Sequence, residues 1–337
     1  MNIQQVGDAL IRPGQLLTDR SALSAASRWT QAVSEADGVC VIHLSDGVDP
    51  CELTADLREH GFRASPNHVL AGQPLFFGGP ASRPFPAPPI AYRPGRTRSP
   101  VVVALLDTGV AEHRWWSGSD WYAGRRDDDD DAAEGCQAGH GTFLAGLLTL
   151  QAPGVSLRVS RVLDGSGVGD EATVVRALHR LRDRPPDVLN LSFGCHTFDG
   201  RPPPLLADAL GELPGTVVVA CAGNTASDRP FYPAALGHVV AVGAVDDTQQ
   251  RRAPFSAYGE WVDACARGEW LTSAFLQRGE FAGYASWSGT SFAAALVAGA
   301  IADAARDMPA AQAAKLVLDP QATRQIPDLG VLVPSSL

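Results

Sequence analysis

Four polar residues lie at sequence positions where strands are expected to end or helices to begin, which is where an α/β fold can present catalytic side chains. Asp107 directly follows the apolar run VVVALL, and Asn224 comes just after TVVVACA, so both are expected near the end of a buried strand. His140 and Ser291 each precede a strongly apolar helical stretch. Taken singly, each residue has an ordinary explanation as a turn residue, a helix cap or a structural histidine. Together they supply an acid, a base, a nucleophile and an amide donor.

An alternation of strand and helix patterns must position these residues. Short apolar runs typical of strands buried on both faces occur at 101–106, 159–164, 187–192, 216–222 and 239–245. Helical patterns at 171–181, 204–213 and 291–307 lie between and after them. This order predicts a mostly parallel sheet with helices on both faces, an α/β fold. Ligands of such sheets bind at the carboxyl ends of the strands, where Asp107 and Asn224 are expected.

A proline-rich stretch divides the chain. Eight prolines fall within residues 73–100, and proline disfavours both helix and central strand, so we expect an exposed linker over 73–99. Residues 1–72 before it alternate in strand-like and helix-like patterns. They predict a small α+β N-terminal domain of β-α-β-α-β order. Residues 100–337 are expected to form the larger domain.

Charge and composition exclude some classes of partner. The 27 Lys and Arg residues against 37 Asp and Glu residues give a formal net charge of −10, which argues against nucleic acid or an anionic membrane surface. The apolar stretch 292–302 is too short to span a bilayer and predicts a buried helix. The N-terminus lacks the basic start and apolar stretch of a secretory signal, so we expect a cytoplasmic protein.

The cysteines and a run of aspartates could form disulfides or bind metal ions. An even number of cysteines could form disulfides, but in a long chain without a signal we expect free thiols at Cys40, Cys51, Cys136, Cys195, Cys221 and Cys265. Cys136 and His140 have a spacing that can hold a metal, although buried inert thiols are commoner. The aspartate run at 127–131 could bind calcium, but it lacks the alternating carbonyl ligands and glycine of a calcium loop. We therefore expect no required cofactor.

The motifs and their order resemble the subtilisin-like serine peptidases, the subtilases. LLDTGV, GHGTFLAG and SGTSFAAALVAG are similar to the three catalytic motifs of that family. VLNLSFG, VVVACAGN, YPAALGHVVAVGAVD and FSAYGEWVDACARG match four further family segments. The chain order Asp, His, Ser is the subtilisin order. The resemblance covers about residues 100–305 and implies a subtilisin-like fold.

The resemblance also implies a role for each motif residue in a serine endopeptidase. Ser291 would be the nucleophile, His140 its base, and Asp107 the residue that orients His140. Asn224 and the Ser291 N–H would bind the oxyanion. The substrate would be a protein or peptide in extended conformation. Its binding residues would be Ser166, Gly167, Val168, Ser192, Phe193, Gly194, Ala222 and Gly223.

Some segments depart from the family pattern or match it weakly. Ala295 and Leu296 stand where the family usually has proline and often histidine, but neither position carries chemistry. Phe231 matches a position near the base of the primary specificity pocket, which a bulky ring would make shallow. Residues 66–70, PNHVL, are similar to subtilase prodomains and predict an intramolecular inhibitory segment.

Two other functions compete with this interpretation. An α/β-hydrolase needs its catalytic histidine after the nucleophile, whereas the last histidine here is His238, before Ser291. That alternative fails on chain order. A catalytically silent subtilase, acting as a peptide-binding or scaffolding module, stays open as the non-enzyme alternative. The presence of all four active-site residues favours the enzyme.

Overall fold

A computed structural model describes residues 2–72, 83–92, 99–124 and 134–335 of the chain. We call residues 2–72 the N-terminal unit, residues 83–92 the strap, and the described residues from 99 to 335 the main domain. Most of the predicted linker and the aspartate run at 127–131 lie outside the described residues. The calcium alternative therefore stays untested.

The N-terminal unit is an antiparallel sheet packed against one longer helix. Strand β2 lies between β4 and β5, β3 flanks β4, and β1 pairs with β2. Asp49 caps the start of the helix, because its carboxylate accepts the N–H groups of Cys51 and Glu52. The elements are β1 (Gln4–Val6), β2 (Ala9–Thr18), α1 (Leu23–Ala26), β3 (Thr30–Ala36), β4 (Val39–Leu44), α2 (Pro50–Glu59) and β5 (Ala64–Ala71).

The five elements predicted for this unit occur in the predicted β-α-β-α-β order as β2, α1, β4, α2 and β5, but the structure adds the strands β1 and β3. The stretch from residue 22 to 36 has a helical composition, yet α1 ends after one turn and β3 follows as a strand. Nearly all of β3 is exposed, so it has no apolar alternation to mark it as a strand. Its pairing with β4 determines its conformation, because cross-strand partners outweigh local propensity. The α+β character of the unit is as predicted.

The main domain contains a parallel sheet of the order β16-β17-β13-β12-β11-β10-β7-β8, in which only β16 and β17 are antiparallel. The strap contributes β6 (Phe85–Pro86). The main-domain elements are β7 (Val102–Asp107), α3 (Asp120–Ala123), α4 (His140–Gln151), β8 (Ser156–Arg161), β9 (Val168–Asp170), α5 (Glu171–Leu181), β10 (Val188–Leu191), α6 (Pro204–Gly211), β11 (Val217–Cys221), β12 (Val240–Val245), β13 (Ala264–Arg267), β14 (Leu271–Arg278), β15 (Phe281–Trp287), α7 (Thr290–Ala304), α8 (Ala310–Val317), β16 (Gln325–Ile326) and β17 (Gly330–Leu332).

Both faces of this sheet are covered by helices, which confirms the predicted fold class. Along β7, Val103 and Leu105 pack into a core with α4 and α7, while Ala104 and Leu106 pack into a second core with α5 and α6. Strands β7, β10 and β11 are neighbours, so the residues that follow them meet at one edge. None of the described helices is long and apolar enough to cross a membrane.

Five of the ten residues of the strap are exposed and none is buried, as expected of an exposed linker, but the strap also pairs with the main domain. Strand β6 pairs antiparallel with β15, and the Ala87 N–H donates to the carbonyl of Tyr284 at 3.3 Å. The Tyr92 ring stacks on Trp115 with 4.7 Å between ring centroids. Proline is tolerated here because β6 is an edge strand.

Candidate active site

A buried carboxylate and a buried imidazole form the centre of the site. Asp107 ends β7 and His140 begins α4. Nδ1 of His140 lies 2.8 Å from Oδ1 of Asp107, which also accepts the Thr108 N–H. A carboxylate can only accept, so Nδ1 donates and Nε2 carries the lone pair. Nε2 has no hydrogen-bond partner among the described residues, which leaves it available as a base.

A glycine allows this pair to form. A Cβ on Gly141 would overlap the carbonyl oxygen of Gly109 and lie 3.2 Å from Oδ1 of Asp107. Only glycine therefore lets the start of α4 approach the loop after β7 this closely. The imidazole is then enclosed by Trp287 and Phe292, each with its ring centroid 5.5 Å from that of His140.

Ser291 lies in the first turn of α7 and has a neighbour, Gly72, in common with His140. Its Oγ is 3.2 Å from the carbonyl oxygens of both Gly72 and Ser192, so the hydroxyl donates to a carbonyl and not to His140. Gly72 also faces His140, since a Cβ on it would lie 3.5 Å from Cε1 of that ring. Ser192 also contacts the backbone of Ser291, because its hydroxyl donates to the Ser291 carbonyl at 3.0 Å.

Asn224 is fixed next to the start of α7. Its Oδ1 accepts the N–H and the hydroxyl of Thr290, both at 2.9 Å. The planar amide therefore turns its NH₂ group away from the helix. Asn224 lines a cavity together with Gly72, Gly194 and Gly223. An amide donor and the first-turn N–H groups of α7 thus lie close to Ser291, an arrangement that can stabilise an oxyanion.

The end of the N-terminal unit lies as an extra strand between two edges of the main domain. Residues 69–71 of β5 pair antiparallel with β9, with Ala71 opposite Val168. Ala71 exchanges backbone hydrogen bonds of 3.0 and 3.2 Å with Gly194, and the Gly72 N–H donates to the Gly167 carbonyl at 2.9 Å. We call the space between β9 and Gly194 the groove. It holds an extended peptide through backbone groups.

Most of the predicted substrate residues lie at the groove or its cavity, whereas the side chains of three others face elsewhere. Ser166 is an exposed turn residue whose N–H donates to Asp164. The side chains of Phe193 and Ala222 are buried in two different hydrophobic cores. Gly167, Val168 and Gly194 contact the strand in the groove, Ser192 contacts Ser291, and Gly223 lines the cavity.

Sequence analysis missed a second carboxylate–histidine pair, which joins the N-terminal unit to the main domain. His68 Nδ1 lies 2.7 Å from Oε2 of Glu171, and both side chains are fully buried. The Ser65 hydroxyl donates to the other oxygen of Glu171 at 2.8 Å. The similarity of PNHVL to prodomains pointed to this segment, but nothing in the sequence marked Glu171 as its partner.

Ion pairs surround this buried contact. They join charged side chains of the N-terminal unit to oppositely charged side chains of the main domain. All of them lie at the partly exposed edge of the interface, which we call the rim. The pairs are Arg12–Asp170, Arg58–Asp199, Arg63–Asp208, Asp37–Arg180 and Asp8–Arg229. The interface therefore has a polar rim around a buried ionisable pair.

All six cysteines have free thiols in the structure. Cys221 hydrogen-bonds with Ser291 and Thr290, and burial raises the pKa of its thiol to about 12. A thiol with so high a pKa stays protonated and unreactive. Cys136, which was considered as a metal ligand with His140, is exposed. No group of three or more metal-ligating side chains occurs within the described ranges.

Comparison with known proteins assigns this chain to a family. A model of the subtilase family matches residues 98–326. Thermitase of Thermoactinomyces vulgaris is 32% identical over 207 residues, which cover 58% of this chain and 72% of that protein. Subtilisin Savinase of Lederbergia lenta is 33% identical over 228 residues, or 64% of this chain and 79% of the other. A thermophilic serine proteinase of Bacillus sp. (strain AK1) is 37% identical, but the match spans only 41% of its length.

Solved structures agree with this match. The crystal structure of a cold adapted subtilisin-like serine proteinase aligns with a TM-score of 0.59 at 25% identity, covering 75% of this chain and 95% of that one. A lanthipeptide protease aligns with a TM-score of 0.57 at 22% identity, covering 69% and 85%. At this low identity, the alignment with the lanthipeptide protease shows a shared fold and nothing more.

Proposed function

This chain belongs to the subtilase family of serine peptidases, and from that premise we propose that it is an endopeptidase that cleaves extended peptides with Asp107, His140 and Ser291. One observation carries the proposal. A peptide strand, residues 69–72, lies in the groove through backbone hydrogen bonds, and its last described carbonyl contacts Oγ of Ser291. A groove of this kind accepts many sequences, because it binds what all peptides share.

The reaction begins with a rotation of the Ser291 hydroxyl. Once a substrate carbonyl replaces the present contacts, Oγ turns to Nε2 of His140 and gives up its proton as it attacks the carbonyl carbon. Asp107 holds the Nδ1–H and stabilises the imidazolium that forms. His140 then protonates the leaving amine, and water repeats the sequence to release the acyl group from Ser291.

The oxyanion of the tetrahedral intermediate would be bound by the Asn224 amide and the Ser291 N–H. Two observations support this role. Thr290 fixes the Asn224 side chain in advance, and Ser291 lies in the first turn of α7, where N–H groups lack helical acceptors. All steps use groups of the chain itself and water, so the proposal needs no cofactor.

We further propose that the N-terminal unit inhibits the enzyme. Its last strand occupies the groove, so a substrate can enter only when this strand leaves. The proposal is supported by the backbone pairing of Ala71 with Gly194 and by the buried contact of His68 with Glu171. Inhibition would then depend on how tightly the N-terminal unit is held.

Hydrolysis of an internally quenched peptide library tests both proposals. Ala71→Pro removes the N–H that donates to Gly194, and Ala71→Ser keeps it. We expect Ala71→Pro to cleave the library faster than the wild type, and Ala71→Ser to resemble the wild type. A folded Ala71→Pro variant that binds peptides without cleaving them would favour the silent module instead. Cleavage at equal rates in all three proteins would contradict inhibition.

A further inference from the structure

Two segments of this chain pass the elements around Ser291 in the direction of a bound substrate; this inference rests on the proposed function. Residues 69–72 run through the groove, and the Gly72 carbonyl contacts Oγ of Ser291. Further along the chain, β6 of the strap pairs antiparallel with β15, which ends four residues before Ser291. Since β15 runs towards the serine, β6 runs away from it. The two segments thus approach the serine in the groove and lead away from it along the edge of β15.

The segment of a substrate that follows the cleaved bond would begin beside the end of β15. In the proposed mechanism His140 protonates the leaving amine, so this segment starts next to its imidazole. Trp287, the last residue of β15, packs edge-on against that imidazole with 5.5 Å between the ring centroids. The pairing of β6 with β15 stops at Ser286, so Trp287 and Ser288 lie beyond it. An extended peptide can add to this free part of the edge through backbone groups.

The start of the strap closes the edge just behind this free part. Phe85 pairs with Ser286, and its ring packs on Trp270 with 5.8 Å between the centroids. The Trp270 N–H donates to Oγ of Ser288 at 2.9 Å. The two aromatic side chains therefore form a barrier next to Ser288.

The backbone of Trp270 holds one half of this barrier in place. Its φ of +51° lies in the left-handed region, which is unfavourable for a large side chain, and the residue is 45% exposed. Arg267 stabilises this conformation, because its Nη2 donates to the Trp270 carbonyl at 3.0 Å. A bulky ring is thus kept at the surface, beside the path of the leaving segment, at a cost in backbone strain.

We propose that the strap limits the part of a substrate bound after the cleaved bond to about three residues. Three residues, 287–289, separate the paired Ser286 from the start of α7, and strand pairing matches residues one to one. The next residue of a substrate would meet Phe85 and Trp270 and would have to turn away from the sheet. The enzyme would therefore recognise its substrates mainly by the residues before the cleaved bond.

Acyl transfer to peptide amides measures binding after the cleaved bond separately from binding in the groove. A peptidyl methyl ester acylates Ser291 of the full chain with loss of methanol, and the acyl group then passes to water or to the amino group of an added peptide amide. The added peptide binds where a leaving segment would depart, because the two steps are the reverse of each other. The N-terminal unit slows acylation but not this choice, so the ratio of transfer to hydrolysis reports the edge of β15.

Alanine peptide amides of one to six residues provide the series. In the wild type we expect the ratio to rise up to the third residue and to stay within about twofold for longer amides, since these gain no further backbone hydrogen bond. Phe85→Ala combined with Ala87→Pro removes the ring and the N–H that donates to Tyr284. This double variant should gain at least about threefold between the third and the fifth residue. Ala87→Ser keeps the N–H and should retain the wild-type plateau.

A ratio that keeps rising through the sixth residue in the wild type would overturn the proposal. A plateau at the third residue in the folded double variant would also overturn it, because the strap would then not set the limit. If the double variant does not fold, Phe85→Ala alone takes its place. A protein that hydrolyses no ester would instead refute the proposed function, whereas ester hydrolysis without a length limit would refute the role of the strap alone.

Discussion

Two buried carboxylate–histidine pairs in this molecule have nearly the same geometry. Asp107 and His140 are 2.8 Å apart, and Glu171 and His68 are 2.7 Å apart. Both pairs are buried, and in each the Nε2 atom has no hydrogen-bond partner among the described residues. Only the surroundings differ. The first pair lies within the main domain near Ser291, whereas the second joins the main domain to the N-terminal unit.

This difference teaches that a carboxylate–imidazole contact does not by itself define a catalytic site. His140 lies at an edge of the sheet where a serine, an asparagine and a peptide groove meet. His68 belongs to the strand that occupies the groove, and its partner begins a helix of the main domain. We therefore propose that the first pair serves catalysis and that the second retains the N-terminal unit. The following experiments separate the two roles.

Removal of the nucleophile should have the largest effect. We expect Ser291→Ala to lower kcat for peptide hydrolysis by about a millionfold, because no other group supplies the attacking oxygen. Ser166→Ala, which removes an exposed hydroxyl from a turn, is the matched control and should retain the activity. Comparable hydrolysis by Ser291→Ala and Ser166→Ala would refute the assignment.

The same conservative change in both acids tests the comparison directly. Asp107→Asn should lower kcat by about 10⁴-fold, because the amide favours the wrong tautomer of His140. Glu171→Gln should not lower it. Both rates are measured on one quenched peptide, with circular dichroism to verify folding. A similar loss in Glu171→Gln would mean that the second pair takes part in catalysis.

Loss of the second imidazole should activate the enzyme. His68→Ala leaves Glu171 buried without its partner, which weakens the interface and releases the groove. We expect hydrolysis to increase by at least about tenfold, since breaking a buried pair costs about 3–5 kcal/mol. Steady-state rates across substrate concentrations provide the measurement. Unchanged or reduced rates in a folded His68→Ala variant would show that the pair does not hold the N-terminal unit.

A third buried histidine, His113, lies among aromatic rings, and this environment changes the pKa of its imidazole. It packs against Trp115, Trp116 and Tyr284, and burial with the nearby Arg114 lowers its pKa to about 4 from 6.5. Between these values the unfolded chain binds a proton that the folded chain does not. The free energy of unfolding should therefore fall as the pH falls through this window, by about 3 kcal/mol.

His113→Gln removes that group, so its unfolding free energy should depend less on pH than that of the wild type. Urea titrations from pH 6.5 to about 4 measure the difference. Parallel pH profiles for the two proteins would contradict the assignment of a neutral His113.

The smallest effect is expected at the rim. Arg63 is 56% exposed and pairs with Asp208 of the main domain, so water screens this contact. We expect Arg63→Ala to raise hydrolysis only about two- to fivefold, as is usual for the loss of one surface ion pair. Added salt should reproduce most of this change in the wild type. If Arg63→Ala increased hydrolysis as much as His68→Ala, the exposed ion pairs, and not the buried pair, would hold the N-terminal unit.

Asp107, His140, Ser291 and Asn224 could be proposed from the sequence because each stands beside a run of apolar residues and within a motif that resembles those of the subtilases. Such runs mark where strands end and helices begin. The contact of Ser291 with Gly72 could not be found, because it joins residues 219 positions apart. Strand β9 has only three residues and no apolar pattern, and pairing with β5 makes it a strand. Tertiary contacts also determine β3 and the strap, where local propensity favoured a helix and an exposed linker.

Labelling with an alkyl fluorophosphonate, followed by mapping of the modified residue, tests the central claim most directly. The full-length Ala71→Pro variant is compared with the wild type and with the double variant that also carries His140→Ala. We predict modification of Ser291, faster in Ala71→Pro than in the wild type and lost without His140. A folded Ala71→Pro protein in which Ser291 stays unlabelled, or is labelled equally fast without His140, would contradict the account.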